Sequence, residues 1–345
     1  MRRLPLGLLM PLAVAAIATP PAHANSVASV AVSPRSEVYF SDYVRNRIWR
    51  LDTSGRLTVV LTGRHTHHLV LGPDSSLFGE HVPMDPADPL RASLWKLMPG
   101  GGLIEIVRNE KGTKGTPYEG TVFAIDAEGQ IYFLHECQLV RLELDGSLAP
   151  LAGRSCGNAW WVDDALRYGH LHGSLAWAPD ASLYFSDART VRRIALDGSV
   201  RTVDGAEAEL FAPARPEEMV FRRVLGLAVD VRGTVYVADD SNRLLKLAPN
   251  GQVTLLANSS WFWKPAGLGA AGNDIYLLEE RRLSPRLVAD LFGSPRLRRI
   301  TVDGEQTLTT VGWAGGELGF ALLGALLAAS AVMFLLHRRL RWRRT

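Results

Sequence analysis

The sequence lacks the spellings that announce several common chemistries. It holds only two cysteines, Cys137 and Cys156, no paired C-x-x-C, no H-E-x-x-H and no Gly-rich phosphate loop. A cysteine-built zinc cluster, a zinc-protease helix and a nucleotide cradle are therefore not written in it. No nucleophile triad is recognisable either. A strongly basic balance is also missing. The formal charge is +3, but seven of the 38 basic residues lie in the two terminal segments, and neither of those carries an acid. Between them, 31 basic residues face 35 acidic ones. Such a body offers no basic stripe to a nucleic-acid backbone, and no nucleic-acid partner is expected.

Long apolar runs are confined to the ends. Residues 1–24 combine two arginines, an apolar stretch and a small-residue finish at Ala22-His23-Ala24, the layout of a secretory signal peptide cleaved before Asn25. A buried N-terminal helix is the alternative. From Leu318 to Leu336 run 19 residues without a charge, enough to cross a bilayer core of roughly 30 Å as a helix. Arg338, Arg339, Arg341, Arg343 and Arg344 follow in the tail, 337–345, and by the positive-inside rule they stay in the cytoplasm. A processed sorting tail after Gly315-Gly316 is the other reading. The expected chain is a single-pass inner-membrane protein with residues 25–312 on the periplasmic or extracellular side. There a disulfide can persist.

The body repeats itself. An aromatic recurs in a strand-like run at Tyr39, Phe78, Tyr132, Tyr184, Tyr236 and Tyr276. After each comes an apolar-x-basic-apolar run with Arg50, Lys96, Arg141, Arg193, Lys246 or Arg299 as its basic residue. Five positions on stands Gly55, Gly101, Gly146, Gly198, Gly251 or Gly304, at hairpin turns that need φ > 0. A further strand follows each glycine, and another precedes each aromatic. Six units of four strands stacked around an axis bury faces that no unit buries alone. The expected fold class is all-β: a six-bladed β-propeller of four-stranded blades, plus one C-terminal transmembrane helix. "VASVAVS" could be the first blade's inner strand or could close the ring with the last blade.

The segments "YFSDYVRNRIWRLDTSG", "YFSDARTVRRIALDGSVRTVDG" and "YVADDSNRLLKLAPNGQVTLLA" resemble the NHL repeat, over roughly Val27 to Val311. That resemblance implies a propeller akin to the gluconolactonase, strictosidine synthase and amidating-lyase group, which sits beside many pure binding modules. The usual proline before the first strand is absent except at Pro265.

Chemistry in a propeller is expected at the mouth, where innermost strands begin and long loops gather. Seven histidines fall in mouth-side positions: His65, His67, His68, His81, His135, His170 and His172. His68 and His172 begin innermost strands of alternating blades, with Glu119 similarly placed between them. These three could hold a divalent metal, Zn²⁺ or Ca²⁺, or be loop residues that hold no ligand; the amidating lyase, to which the fold is similar, uses channel-lining histidines on a metal. Lys264 stands where a third histidine would complete the set. Asp42, His81, His135, Asp187, Asp239 and Glu279 each lie three residues past a blade aromatic, and turn capping competes with a metal ring for them. Cys137 and Cys156 flank blade three and read as a disulfide, or else as a metal-binding pair. Trp160, Trp161, Trp261 and Trp263 could bind a ligand by stacking or pack between blades, with Arg223 and Lys264 as charged binding candidates beside them. In the loop after Glu280, Ser284 and Pro285 open a short helix with a basic flank. The residues support a membrane-anchored module binding a protein or small molecule at its mouth. The alternative is a metal-dependent hydrolase or lyase of the lactonase kind.

Overall fold

The computed structural model describes residues 29–83, 92–108, 122–135, 138–153, 174–187, 190–195, 198–203, 224–281 and 295–311. Among them 24 strands form six antiparallel sheets of four consecutive strands each. Blade one holds β1 (Val30–Val32), β2 (Val38–Asp42), β3 (Arg47–Leu51) and β4 (Leu57–Thr62). Blade two holds β5 (Leu69–Leu71), β6 (Leu77–His81), β7 (Ser93–Leu97) and β8 (Leu103–Arg108). Blade three runs from β9 (Phe123–Ile125) through β10 (Ile131–His135) and β11 (Gln138–Leu142) to β12 (Leu148–Gly153). Blade four follows with β13 (Leu175–Trp177), β14 (Leu183–Asp187), β15 (Thr190–Ile194) and β16 (Val200–Thr202). Blade five is β17 (Val224–Val229), β18 (Val235–Asp239), β19 (Arg243–Leu247) and β20 (Val253–Asn258). Blade six is β21 (Trp263–Ala271), β22 (Asp274–Arg281), β23 (Arg296–Thr301) and β24 (Gly304–Thr310).

The recurring residues have a common physical role. Each blade aromatic is the direct cross-strand partner of the blade's basic residue, from Tyr39 with Arg50 round to Tyr276 with Arg299. Pairs set opposite each other on one face are the unit that stabilises a sheet, and the Lys96 ammonium lies 5.1 Å from the Phe78 ring centre. In four blades the basic side chain also reaches an acid in or beside the first turn: Arg50 to Glu37 at 3.7 Å, Lys96 to Asp74 at 2.7 Å, Arg193 to Asp180 at 2.5 Å and Arg299 Nε to Asp274 at 2.8 Å. All six repeat glycines adopt positive φ, between 80° and 138°, which a side chain at Cβ would strain. The glycine register is thus a backbone requirement of the outer hairpin.

Among the described residues no blade has a core of its own. Six apolar clusters lie between the six pairs of neighbouring blades, as the stacking argument requires. The first strands β1, β5, β9, β13, β17 and β21 neighbour one another in a closed circle. β1 pairs with β2 and belongs to blade one. The circle therefore closes by packing of β1 against β21, without strand exchange. Gly269 permits that approach: a Cβ there would lie 3.0 Å from both the Val30 side chain and its carbonyl oxygen.

Among the described residues no helix is long and apolar enough to cross a membrane. The expected signal peptide (1–24), the span (318–336) and the helix opened by Ser284 fall outside them.

Candidate functional site at the propeller mouth

First strands from all six blades line a central cavity of about 310 Å³. The described residues that line it are mostly aliphatic, although the surface they expose is slightly more polar than apolar, and His68 is the one titratable residue among them. His68 Nε2 lies 2.9 Å from the Phe123 carbonyl oxygen, and its ring stands edge-on to the Phe123 ring. A carbonyl can only accept, so the proton sits on Nε2 and Nδ1 keeps the lone pair. Burial lowers the His68 pKa to about 4, so the imidazole is neutral near pH 7.

The segment carrying His65, His67 and His68 is pinned to the end of β6. Glu80 accepts from His67 N–H at 2.6 Å and from His68 N–H at 2.9 Å, while its own carbonyl accepts from Thr66 Oγ1 at 2.9 Å. His81 Nδ1 accepts from His65 N–H at 3.0 Å. Burial pushes the Glu80 carboxyl up to about 8.

Across the seam between blades one and six, Tyr43 donates from its hydroxyl to Glu280 at 3.0 Å. Burial raises Glu280 to about 7 against the opposing pull of that bond and of the Lys264 ammonium. Lys264 is Glu280's partner in the β21–β22 register. The Tyr43 ring lies 5.6 Å from the His65 ring and 5.0 Å from the His67 ring, with 4.6 Å between the two imidazoles. His65 Nδ1 is 3.0 Å from Asn46 Oδ1, and burial first, then the charge of His67, lowers its pKa to about 4. The rim of blades one, two and six is a preorganised patch of phenol, imidazole, carboxyl and ammonium groups. It can donate to and accept from a polar ligand without first rearranging.

Strand alternation sends the neighbouring Glu279 the other way. It is fully buried, bound by Arg296 Nε at 2.7 Å and Arg298 Nη1 at 3.0 Å. Arg298 also pairs with Glu305. Arg281 and Arg296 lie over the Trp263 ring at 4.6 and 4.2 Å. Trp263, 7% exposed, is consequently held inside the rim, whereas Trp261 (65%) and Phe262 (51%) stand out from it. The "WFW" run divides into one packed and two exposed rings.

Asp42 and Asp239 cap the turns they open, accepting from the Arg45 and Ser241 amides at 3.3 and 3.1 Å. Glu279 and His81, at equivalent positions, serve the ion cluster and the histidine segment instead. Of the proposed metal set, only His68 is described; Glu119 and His172 lie outside the described residues, as do Trp160, Trp161, Arg223, Cys137 and His170. Cys156 lies outside them too. Among the described residues no group of three or more His, Cys, Asp or Glu is placed to hold a metal ion. Reading the sequence missed Tyr43, Glu80 and Glu280, because nothing local marks them. It also passed over "GRSCG" at 153–157, which spells G-x-S-x-G. That motif needs a strand–turn–helix setting, whereas Gly153 ends the last strand of an antiparallel blade and the rest lies outside the described residues.

No protein-family profile and no curated protein matches the chain. Solved structures do. An auxiliary nutrient binding protein from Bacteroides thetaiotaomicron is similar over 73% of this chain and 66% of its own, at 12% identity and a TM-score of 0.53. A gluconolactonase from Xanthomonas campestris is similar over 73% and 82%, at 15% identity and 0.50. Virginiamycin B lyase from Staphylococcus aureus is similar over 83% and 85%, at 14% and 0.48. The chain is a six-bladed β-propeller. At such identities the likeness is one of fold, and chemistry has to be argued from this chain's own side chains.

Proposed function

We propose that this propeller is a recognition module that takes a polar ligand or a protein partner at the rim of blades one, two and six. Residues 1–24 export it, and residues 318–336 hold it at the outer face of the cytoplasmic membrane. The observation that supports this reading is the Tyr43–Glu280 bond with the His65 and His67 rings beside it. A mixed donor and acceptor surface, fixed by buried partners, suits binding. The rim's described groups are engaged with one another rather than converging on a single point.

One observation favours a second reading, a metal-dependent hydrolase or lyase acting on lactones. His68 gives its Nε2 proton to a backbone carbonyl, which is how metal-bound imidazoles are commonly oriented. His68, Glu119 and His172 would then hold Zn²⁺ or Ca²⁺, and the ion would polarise a carbonyl.

Elemental mass spectrometry on the full chain, purified in detergent without a histidine tag or chelator, separates the two. The binding reading expects no stoichiometric metal and no hydrolysis of gluconolactone. One tightly held ion, lost in the His68→Ala/His172→Ala double variant together with lactone hydrolysis, would overturn it.

A further inference from the structure

The chain enters and leaves the propeller on the same face as its mouth. Ser29 N–H bonds Ser41 Oγ at 3.0 Å where β1 begins. At the other end Thr310 pairs with Arg296, the first residue of β23, and Val311 N–H donates to the Pro295 carbonyl at 2.9 Å. Leu318, where the uncharged run begins, is seven residues past Val311. Fully extended, seven residues reach at most roughly 25 Å. On the reading that 318–336 crosses the membrane, the mouth edge of blade six is therefore leashed close to the lipid surface.

The connection from β20 to β21, between Asn258 and Trp263, belongs to that same face. It presents the exposed Trp261 and Phe262 rings edge-to-face, 5.3 Å between centres. Leu255 and Leu256, leading into it on β20, are exposed as well. Its two ends are held: Asn258 O accepts from Arg298, and the Trp263 ring has Arg281 and Arg296 over it. A rigid connection that pushes a tryptophan and a phenylalanine outward, with arginines behind them, has the composition of a bilayer-interface contact. A short tether raises the local concentration of lipid enough for even a weak contact to be occupied.

We propose that Trp261 and Phe262 insert at the headgroup–acyl boundary, so that the propeller docks mouth-down on the membrane that anchors it. This rests on the membrane-span reading above. It deepens the functional proposal too, because a rim turned toward the bilayer meets ligands that the membrane surface presents.

The test uses the full chain reconstituted into vesicles of phosphatidylcholine and phosphatidylglycerol, with and without bromine on the upper acyl carbons. Bromine quenches only tryptophans that reach the boundary. The Trp261→Phe variant is expected to lose part of the bromine-quenched emission. A Val302→Trp variant, adding a ring to the exposed β23–β24 turn on the opposite face, is expected to add only unquenched emission. Both sites are exposed, so neither change disturbs a core. No loss from Trp261→Phe, or quenching of the tryptophan at 302, overturns the docking. Washing the vesicles with alkaline carbonate separates the premise: protein released by the wash sinks the membrane-span reading and the docking with it. Retained protein whose Trp261 is unquenched sinks the docking alone.

Discussion

Replacing Gly79 with alanine tests whether the histidine segment owes its position to packing behind it. A Cβ on Gly79 would lie 2.2 Å from Trp95 Cζ2, 2.7 Å from Cε2 and 2.8 Å from Cη2, whereas carbon atoms rest about 3.5–4.0 Å apart. The three indole atoms would therefore have to retreat by at least about 0.7 to 1.3 Å. Trp95 has nowhere to go. It is fully buried, it shares the core between blades one and two with Ile48, Leu69 and Leu77, and its Nε1 donates to the Glu80 carbonyl at 3.1 Å. Overpacking of this kind costs about 1–3 kcal/mol, and loss of the indole hydrogen bond adds about 1 kcal/mol. We expect a loss of about 3 kcal/mol. With an unfolding entropy near 2.1 cal/mol/K per residue, that is roughly 5 °C in Tm for a domain of about 290 residues. Thermal unfolding in mild detergent, followed by near-UV circular dichroism, reads the shift. Trp95→Phe in the Gly79→Ala background removes the outer indole atoms and should recover about 1–2 kcal/mol relative to the sum of the single changes. A Gly79→Ala protein melting within about 1 °C of the parent, or strict additivity of the two changes, would show that the Trp95 stack is not what shapes this strand end.

Glu279→Ala leaves Arg296 and Arg298 without the carboxylate between them, and is expected to cost about 3–5 kcal/mol. Adding Arg298→Met should restore part of that, and an unchanged denaturation midpoint for the single variant would refute the buried ion cluster. Glu80 titrates near 8 in the folded chain and near the ordinary carboxylate value unfolded. Between about pH 4.5 and 8 the folded state therefore holds the extra proton, and stability falls as pH rises through that window. Glu80→Gln should flatten the decline in denaturation midpoints taken from pH 5 to 8; an undiminished slope would count against it. His68 runs oppositely. Its folded pKa near 4 lies below the unfolded value of about 6.5, so stability is lost as pH falls through pH 6.5 to 4. A parallel series in His68→Gln should lose part of that acid-side dependence, the remainder belonging to His65, whose pKa burial also lowers to about 4.

Much of the architecture was legible because each blade is a local sentence. The aromatic, the basic residue opposite it and the glycine five positions later are close in sequence, and each has a reason within one hairpin: a cross-strand pair, then a turn at positive φ. The candidate site was legible only in part. The histidines drew notice by type, and the structure sets His65, His67 and His68 on one segment at the mouth, with His68 alone of these three lining the cavity. What holds that segment is Glu80, an unremarkable member of a strand pattern whose burial makes it an internal acceptor for two backbone amides. Trp261 and Trp263 look alike in sequence and end in opposite environments. Strand pairing draws Trp263 under Arg281 and Arg296, whereas Trp261 precedes β21 and points away.

The sequence by itself determined six four-stranded blades, the hairpin at each glycine and the face on which the long connections gather, because those depend on spacings of a few residues. Only the tertiary structure decided how the circle closes and what meets at the seam. Gly269 lets β21 come against β1, and the closure brings Tyr43 to Glu280 across 237 residues of chain. No local pattern encodes that meeting. It follows from six twisted sheets returning to their starting point, where the first and last blades must share one core.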